Sequence, residues 1–312
     1  MTVKFSVCAD YHYMPNHYPI GTDGLNDIIK RATDNKVDAL IHCGDFIIDT
    51  KNGKKARDIF INNPLGVPAF GCYGNHELQM TESLEKLNEF YGYESPYYSK
   101  VINGFNFVVT DTNYFEIDGE IKHYPGYSVG GPSWEYDHNL LGKKQLKWLE
   151  DTLMNSEYPC IIISHATFMS DAKGSSRDAA KVRDIINKAN KKHPKRVLLC
   201  INGHHHSNSF KIIDNVVYFN VNVAYMGGWR MEKHQLFPKE LCDKYKGASN
   251  CVFFKDALNA IVTVTDTGII DVEGMETTYI YDVSPDMLGI KTTDSIGGMI
   301  EPKISDFHTE LV

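Results

Sequence analysis

Side chains able to bind a metal or move a proton recur where apolar runs end. "ADYH" brings Asp10 and His12, "HCGD" Asp45, "YGNHE" Asn75 and His76, "SHAT" His165, and "INGHHHSN" the run His204, His205 and His206. Mixed nitrogen and oxygen donors suit Mn, Fe or Zn better than calcium, which prefers oxygen throughout. Taken alone, the three histidines are open to three readings: a surface accident, a structural zinc site or part of a catalytic metal centre. In an extended chain alternate residues face one way. On that geometry Asp10 and His12 can share an ion, and His204 and His206 face one side while His205 faces the other.

The elements that must carry these residues read as an α/β protein. Strands are predicted over 3–9, 39–43, 68–72, 105–110, 160–163 and 196–201, and helices over 24–35, 81–91, 142–154 and 178–192. In the last helix Ala179, Val182, Ile185, Ile186 and Ala189 recur at helical spacing. Such alternation implies a sheet buried on both faces. In an open α/β sheet, ligands bind in the crevice at the carboxyl ends of the strands, which is where the candidate residues fall. After His206 the pattern changes to antiparallel pairs, around Asp214-Asn215 and around Asp266–Gly268.

The domain is expected to span residues 1–283, with a C-terminal extension over 284–312 that either wraps the surface or forms a loose tail. Two polar insertions, 113–140 and 225–250, are too long for ordinary connections, and loops of that length are usually functional or disordered.

The chain has 312 residues, 42% of them hydrophobic, and a net charge of -8. That balance argues against a nucleic-acid polymer or an anionic membrane as partner, because such binding needs a basic surface. An anionic substrate remains possible where bound cations reverse the local sign. No apolar run reaches the length of a spanning helix, and "VKFSVCAD" reads as a core strand rather than a signal peptide. The odd count of seven cysteines, five of them within or beside apolar runs, reads as reduced buried thiols in a cytoplasmic protein.

Together the motifs D-x-H, G-D, G-N-H-E, H and G-H-x-H, in this order over residues 3–275, resemble the calcineurin-like metallophosphoesterase superfamily. "VVTDTN" at 108–113 and "KKQLKWLEDTL" at 143–153 are similar to the family's strand and following helix. The resemblance implies a four-layer αββα sandwich, with two central mixed β-sheets flanked by helices and a site for two divalent metal ions (Mn, Fe or Zn) at the strand ends. Carried over, one metal takes Asp10, His12 and His206. The other takes Asn75, His165 and His204. Asp45 bridges them, and His76 stays unliganded beside the substrate as the residue that steadies the developing oxyanion or protonates the leaving alkoxide.

The implied activity is hydrolysis of a small phosphate ester, by a metal-bridging hydroxide that attacks phosphorus in line. Two bridged dications can clamp the attacking and leaving oxygens of such a displacement. A phosphodiesterase or phosphatase is expected. The alternatives are a phosphomonoester-specific phosphatase, phosphoproteins included, and a catalytically silent scaffold on the same fold. Purple acid phosphatases carry a tyrosine three residues after the bridging aspartate, where this chain has Ile48, and they lack the first histidine, present here as His12. The chain also departs from many relatives just after His165, where "SHATF" reads as a difference in pocket shape.

Around the site, Tyr13, His17, Tyr114, Trp229 and Arg230 are the candidate substrate contacts. The aromatic residues of 113–140 serve either to pack that loop or to form a wall that stacks on a substrate ring. "KGSSRD" at 173–178 reads as a helix start, either an ordinary serine cap or an anion site.

Overall fold

The structure, a computed structural model, describes residues 1–79, 81, 83–117, 119–123, 137–229, 232–290 and 301–312. Two six-stranded mixed sheets form its centre. The first runs Phe307–Glu310, Ile269–Glu273, Ala260–Thr265, Thr2–Cys8, Ala39–His42, Ala69–Gly71. The second runs Ser209–Ile213, Val216–Asn220, Val197–Asn202, Cys160–Ile163, Phe105–Val109, Tyr98–Ile102.

Each sheet has a parallel block that carries the site. In the first, Thr2–Cys8 pairs in parallel with Ala39–His42, which pairs in parallel with Ala69–Gly71. In the second, Phe105–Val109, Cys160–Ile163, Val197–Asn202 and Val216–Asn220 run parallel. The remaining strands are antiparallel, including the two hairpins anticipated around Asp214-Asn215 and Asp266–Gly268.

The layering comes from the two-residue period of a strand. Phe107, Val109, Ile161, Ile163, Leu199 and Ile201 belong to the core between the sheets, whereas the intervening Val108, Ile162 and Cys200 pack with Leu149, Leu153, Val182 and Ile186 of the helices Gly142–Asn155 and Ala179–Lys192. Phe5 and Phe107 meet edge to face at 5.4 Å across the interface of the sheets. Leu25, Ile28 and Ala32 of helix Asp23–Asp34, with Ala56 and Phe60 of helix Thr50–Ile61, join the core of the first sheet. The result is the helix, sheet, sheet, helix order expected.

Among the features not foreseen, three bear on the architecture. Helix Thr50–Ile61 was invisible because its buried side is only Gly53, Ala56 and Phe60, too few apolar residues for a clear period. The 113–140 insertion is not irregular throughout: Tyr114–Ile117 pairs with Glu120–His123 on one side and Asp137–Leu140 on the other. Finally, Phe307–Glu310 returns from the far end of the chain to form the edge of the first sheet beside Ile269–Glu273. Its Phe307 ring stacks on Phe210 at 4.5 Å. Among the described residues, no helix is long and apolar enough to cross a membrane.

Candidate dinuclear metal centre

The parallel blocks stop at one edge, and backbone bonds between their exit loops build a floor. Asp10 N–H donates to the Gly44 carbonyl at 3.1 Å, His12 N–H to Asp45 at 2.8 Å, and Gly203 N–H to His165 at 3.2 Å. Ala224 N–H reaches the Ala9 carbonyl at 2.9 Å and ties the first sheet to the loop leaving the second.

These bonds hold the chain in a conformation that extended-strand reasoning does not provide. Asp10, His12, Asp45, His204 and His206 all have positive φ, between 47° and 72°. The i, i+2 pairs do converge, but through paired left-handed residues after the strands have ended. Left-handed backbone at non-glycine residues is costly and clusters at functional sites.

Two outer groups of donors result, with a third that overlaps both. In one, Asp10, His12 and His206 place ligand atoms within 4.8 Å of one another, in the other Asp45, His165 and His204 do so, and between them His12, Asp45 and His76 do the same. His206 Nε2 lies 3.4 Å from Asp10 Oδ1. Asn75 Oδ1 joins the second group at 3.2 Å from His165 Nε2, which is also 3.2 Å from His204 Nδ1. Asp45 stands between the groups. Its Oδ2 has His165 Nε2 at 3.3 Å, His12 Nε2 at 3.5 Å and His76 Nε2 at 3.9 Å, while its Oδ1 accepts the His76 backbone N–H at 2.8 Å.

The donors are aimed from behind. His12 Nδ1 meets the Asp10 carbonyl and His165 Nδ1 the Cys43 carbonyl, each at 2.8 Å. A ring nitrogen donating to a carbonyl leaves the opposite nitrogen with its lone pair facing inward, the usual outer-shell arrangement of metal-binding histidine. His12 Nε2 is buried without a hydrogen-bond partner. An orphaned buried acceptor is expensive, and a cation between these residues removes the cost. The donor set therefore fits a pair of divalent transition metals.

Without metal, the cluster favours a proton on His165 and disfavours one on His76 and His204. Burial pushes His165 down, but Asp45, Asp10 and the Cys43 carbonyl outweigh it and raise the imidazole to about 10. Burial likewise works against Asp45, yet His165, His76 and His12 hold its carboxyl well below the usual carboxylate range. Burial and the neighbouring imidazoles lower His76 and His204. His76 is partly open, with 35% of its side chain exposed.

Glycines in two motifs are required by close approach. A Cβ on Gly74 would sit 2.1 Å from Asp45 Oδ1, and one on Gly203 2.5 Å from Asp10 Oδ2. The motif residue whose role the sequence pattern does not reveal is Glu77. Fully buried, its carboxylate accepts backbone N–H groups from Asp45, Phe46, Ile47 and Gly74 at 2.6–3.3 Å. It is the pin that keeps the Asp45 and Asn75 loops together. A conspicuous acidic residue directly after Asn75-His76 was the available signal.

The central residues expected from the sequence are thus all in one place. His205 turns away and packs against Gly174, outside the donor groups. The candidate substrate contacts are more dispersed. Tyr13 is 3% exposed and pairs with Ile47. His17 stacks edge-on to Tyr18 beside Gly247. Tyr114 packs on His123, whose Nε2 is 2.5 Å from the buried Asp111. Trp229 is exposed, and Arg230 lies outside the described residues, as do Tyr124, Tyr127, Trp134 and Tyr136 of the first insertion. In the 173–178 stretch Asp178 stands at the N-cap position of the next helix without a side-chain capping bond, and its carboxylate instead accepts the N–H groups of Leu141 and Gly142.

A family model described as calcineurin-like phosphoesterase matches residues 3–208, two thirds of the chain and every one of these motifs. The chain belongs to that family. By membership it is a metal-dependent phosphoester hydrolase. Among solved structures, the phosphoesterase is similar to a dimetal phosphatase from Danio rerio, at 14% identity and a TM-score of 0.56, with 99% of each chain covered. It is also similar to GAP50, the anchor in the inner membrane complex of Plasmodium, at 12% identity and a TM-score of 0.54, covering 100% of this chain and 89% of that one. At such identities these likenesses establish the fold. Comparison with curated protein sequences gives no significant match.

Proposed function

We propose that this phosphoesterase cleaves a small phosphate ester, a phosphodiester first among the candidates, with two divalent ions. One ion would be held by Asp10, His12 and His206, the other by Asn75, His165 and His204, and Asp45 would serve both. The observation that carries this reading is the crowding of three imidazole nitrogens within 3.3–3.9 Å of Asp45 Oδ2. A carboxylate so placed has two oxygens and one charge to offer two cations. When bound, the ions supply Lewis acidity and an activated water at neutral pH.

The chain's own residues supply the rest. Asp10 and Asp45 are the ligand carboxylates, so two dications leave net positive charge in an otherwise acidic protein, and a phosphate is drawn in. His76, partly exposed and anchored by its backbone N–H to Asp45, is the residue beside the donors assigned to the substrate. Its neutral imidazole donates a hydrogen bond to a phosphoryl oxygen and steadies the charge that develops there.

The test is hydrolysis of a chromogenic phosphodiester beside the matching monoester, by protein stripped of metal and reloaded with manganese, with Asp45→Asn as background. Diester turnover that disappears in the variant supports the proposal. Monoester preference moves the assignment to a phosphatase. Two bound metals with neither ester cleaved leaves two readings, a demanding natural substrate or a scaffold.

A further inference from the structure

Asn75 and His165, assigned to the same ion, come from different sheets. Asn75 follows the edge strand Ala69–Gly71 of the first sheet, and His165 follows Cys160–Ile163 of the second. Their side chains nevertheless approach to 3.2 Å. A metal site needs its donors held to within about 0.5 Å, so some device has to set this distance across the two sheets.

The segment after strand Phe105–Val109 is placed to do so. Thr110 ties it to the strand that delivers His165, since its N–H and its hydroxyl both donate to the Ile163 carbonyl, at 2.8 and 3.1 Å. The Thr112 hydroxyl oxygen then accepts the N–H of Ala166, the residue after His165, at 3.2 Å. The Asn113 side-chain amide donates to the carbonyl of Tyr73, two residues before Asn75, at 3.0 Å. Two consecutive side chains thus grip two ligand loops, one from each sheet.

Asp111 keeps the grip in shape. Its Oδ1 accepts the backbone N–H and the side-chain amide of Asn113, at 3.0 and 2.7 Å, and its Oδ2 faces His123 Nε2 at 2.5 Å. The Gln145 side chain, from helix Gly142–Asn155, accepts the Asp111 N–H at 2.8 Å and donates to the Asp111 carbonyl at 2.7 Å. Asp111, Thr112, Asn113 and Gln145 are all buried. A buried polar network is rigid where it is satisfied, and rigidity is what the two loops require.

We infer that Thr112 and Asn113, oriented by Asp111, are positioning residues for the ion assigned to Asn75, His165 and His204. They form a clasp between the sheets and act on the metal through Asn75 and His165. The inference rests on the proposed division of the ligands, with Asp10, His12 and His206 holding the other ion.

Manganese alone is the probe, titrated calorimetrically into protein stripped of metal. His206→Ala removes a ligand of one ion and His204→Ala a ligand of the other, so each background is expected to bind one manganese per chain. In the His206→Ala background, Thr112→Val keeps the shape of the side chain and removes the acceptor. It is expected to weaken the remaining manganese about tenfold, the lower end of what outer-shell partners contribute. Thr112→Ser, which retains the hydroxyl, recovers most of that affinity, and Asn113→Ala weakens it from the other arm of the clasp. In the His204→Ala background the same substitutions leave manganese affinity unchanged.

Equal weakening in both backgrounds is general destabilisation and overturns the clasp. Unchanged affinity in the His206→Ala background overturns it too, as does Thr112→Ser behaving like Thr112→Val. Thr112 and Asn113 are varied separately, so a variant that fails to fold leaves the other arm to decide. A stoichiometry other than one in either background overturns the division of the ligands, and the clasp with it. One manganese in each background without a selective effect keeps the division and removes the clasp alone.

Discussion

The buried carboxylate of Glu77 accepts the backbone N–H of Asp45 at 3.0 Å, so the central metal-ligand candidate is held in place by a second carboxylate one layer behind it. Glu77 also gathers Phe46, Ile47 and Gly74, whose amides have their hydrogen bonds there. Glu77→Ala leaves these donors buried and unpaired, at about 1–3 kcal/mol for an unsatisfied group. The expected loss is several kcal/mol of stability with reduced metal content. Glu77→Gln retains one acceptor oxygen and recovers part of both. Thermal melts and metal analysis of the two variants check this.

His76 lies beside Asp45, outside the two donor trios assigned to the metals. His76→Ala is expected to keep two metals per chain while turnover falls about 10²–10³-fold, the contribution of one positioned hydrogen-bond donor. Metal analysis beside steady-state kinetics decides it, and full activity in the variant would remove His76 from the mechanism.

His165 makes metal uptake depend on pH. In the metal-free protein its imidazole is raised to about 10, and a metal needs the unprotonated Nε2. Between the ordinary histidine pKa of about 6.5 and that value, binding displaces a proton, so apparent affinity rises with pH across the window. By the same linkage, the stability that the proton lends the metal-free fold is fully present below about pH 6.5 and is lost as pH rises toward 10. Calorimetric titration of metal in buffers of different ionisation enthalpy should register up to one proton released from this residue.

At His42 the sign reverses. Its ring stacks on Phe46 at 4.9 Å inside the core, and burial followed by the charge of His165 pushes it down to about 3. The unfolded chain binds this proton and the folded one does not, so stability falls as pH drops below about 6.5. The slope contributed is at most about 1.4 kcal/mol per pH unit. His42→Phe, which keeps an aromatic ring in the cluster, should flatten the acid side of the stability profile. Denaturation midpoints between pH 7 and 4 measure it, and an unchanged slope counts against the assignment.

What the sequence determined by itself was local. Apolar runs such as Cys160–Ile163 and Val197–Asn202 announced buried strands, the helical period of Val182, Ile186 and Ala189 announced a helix, and the order of ligand types at the strand ends announced the metal centre. These signals are legible because burial on both faces and metal affinity each restrict residue type one position at a time. The tertiary structure decided which atoms meet. Asp10 and His12 converge because long-range bonds to Gly44 and Asp45 hold them in left-handed backbone, a conformation no i, i+2 rule contains. Glu77 became a pin because Asp45, Phe46 and Gly74 arrived around it from other loops. Phe307–Glu310 became a strand because Ile269–Glu273 offered an open edge. In each case the partner lies far away in the chain, and the free energy that selects the conformation comes from hydrogen bonds and burial that exist only once the sheets have packed.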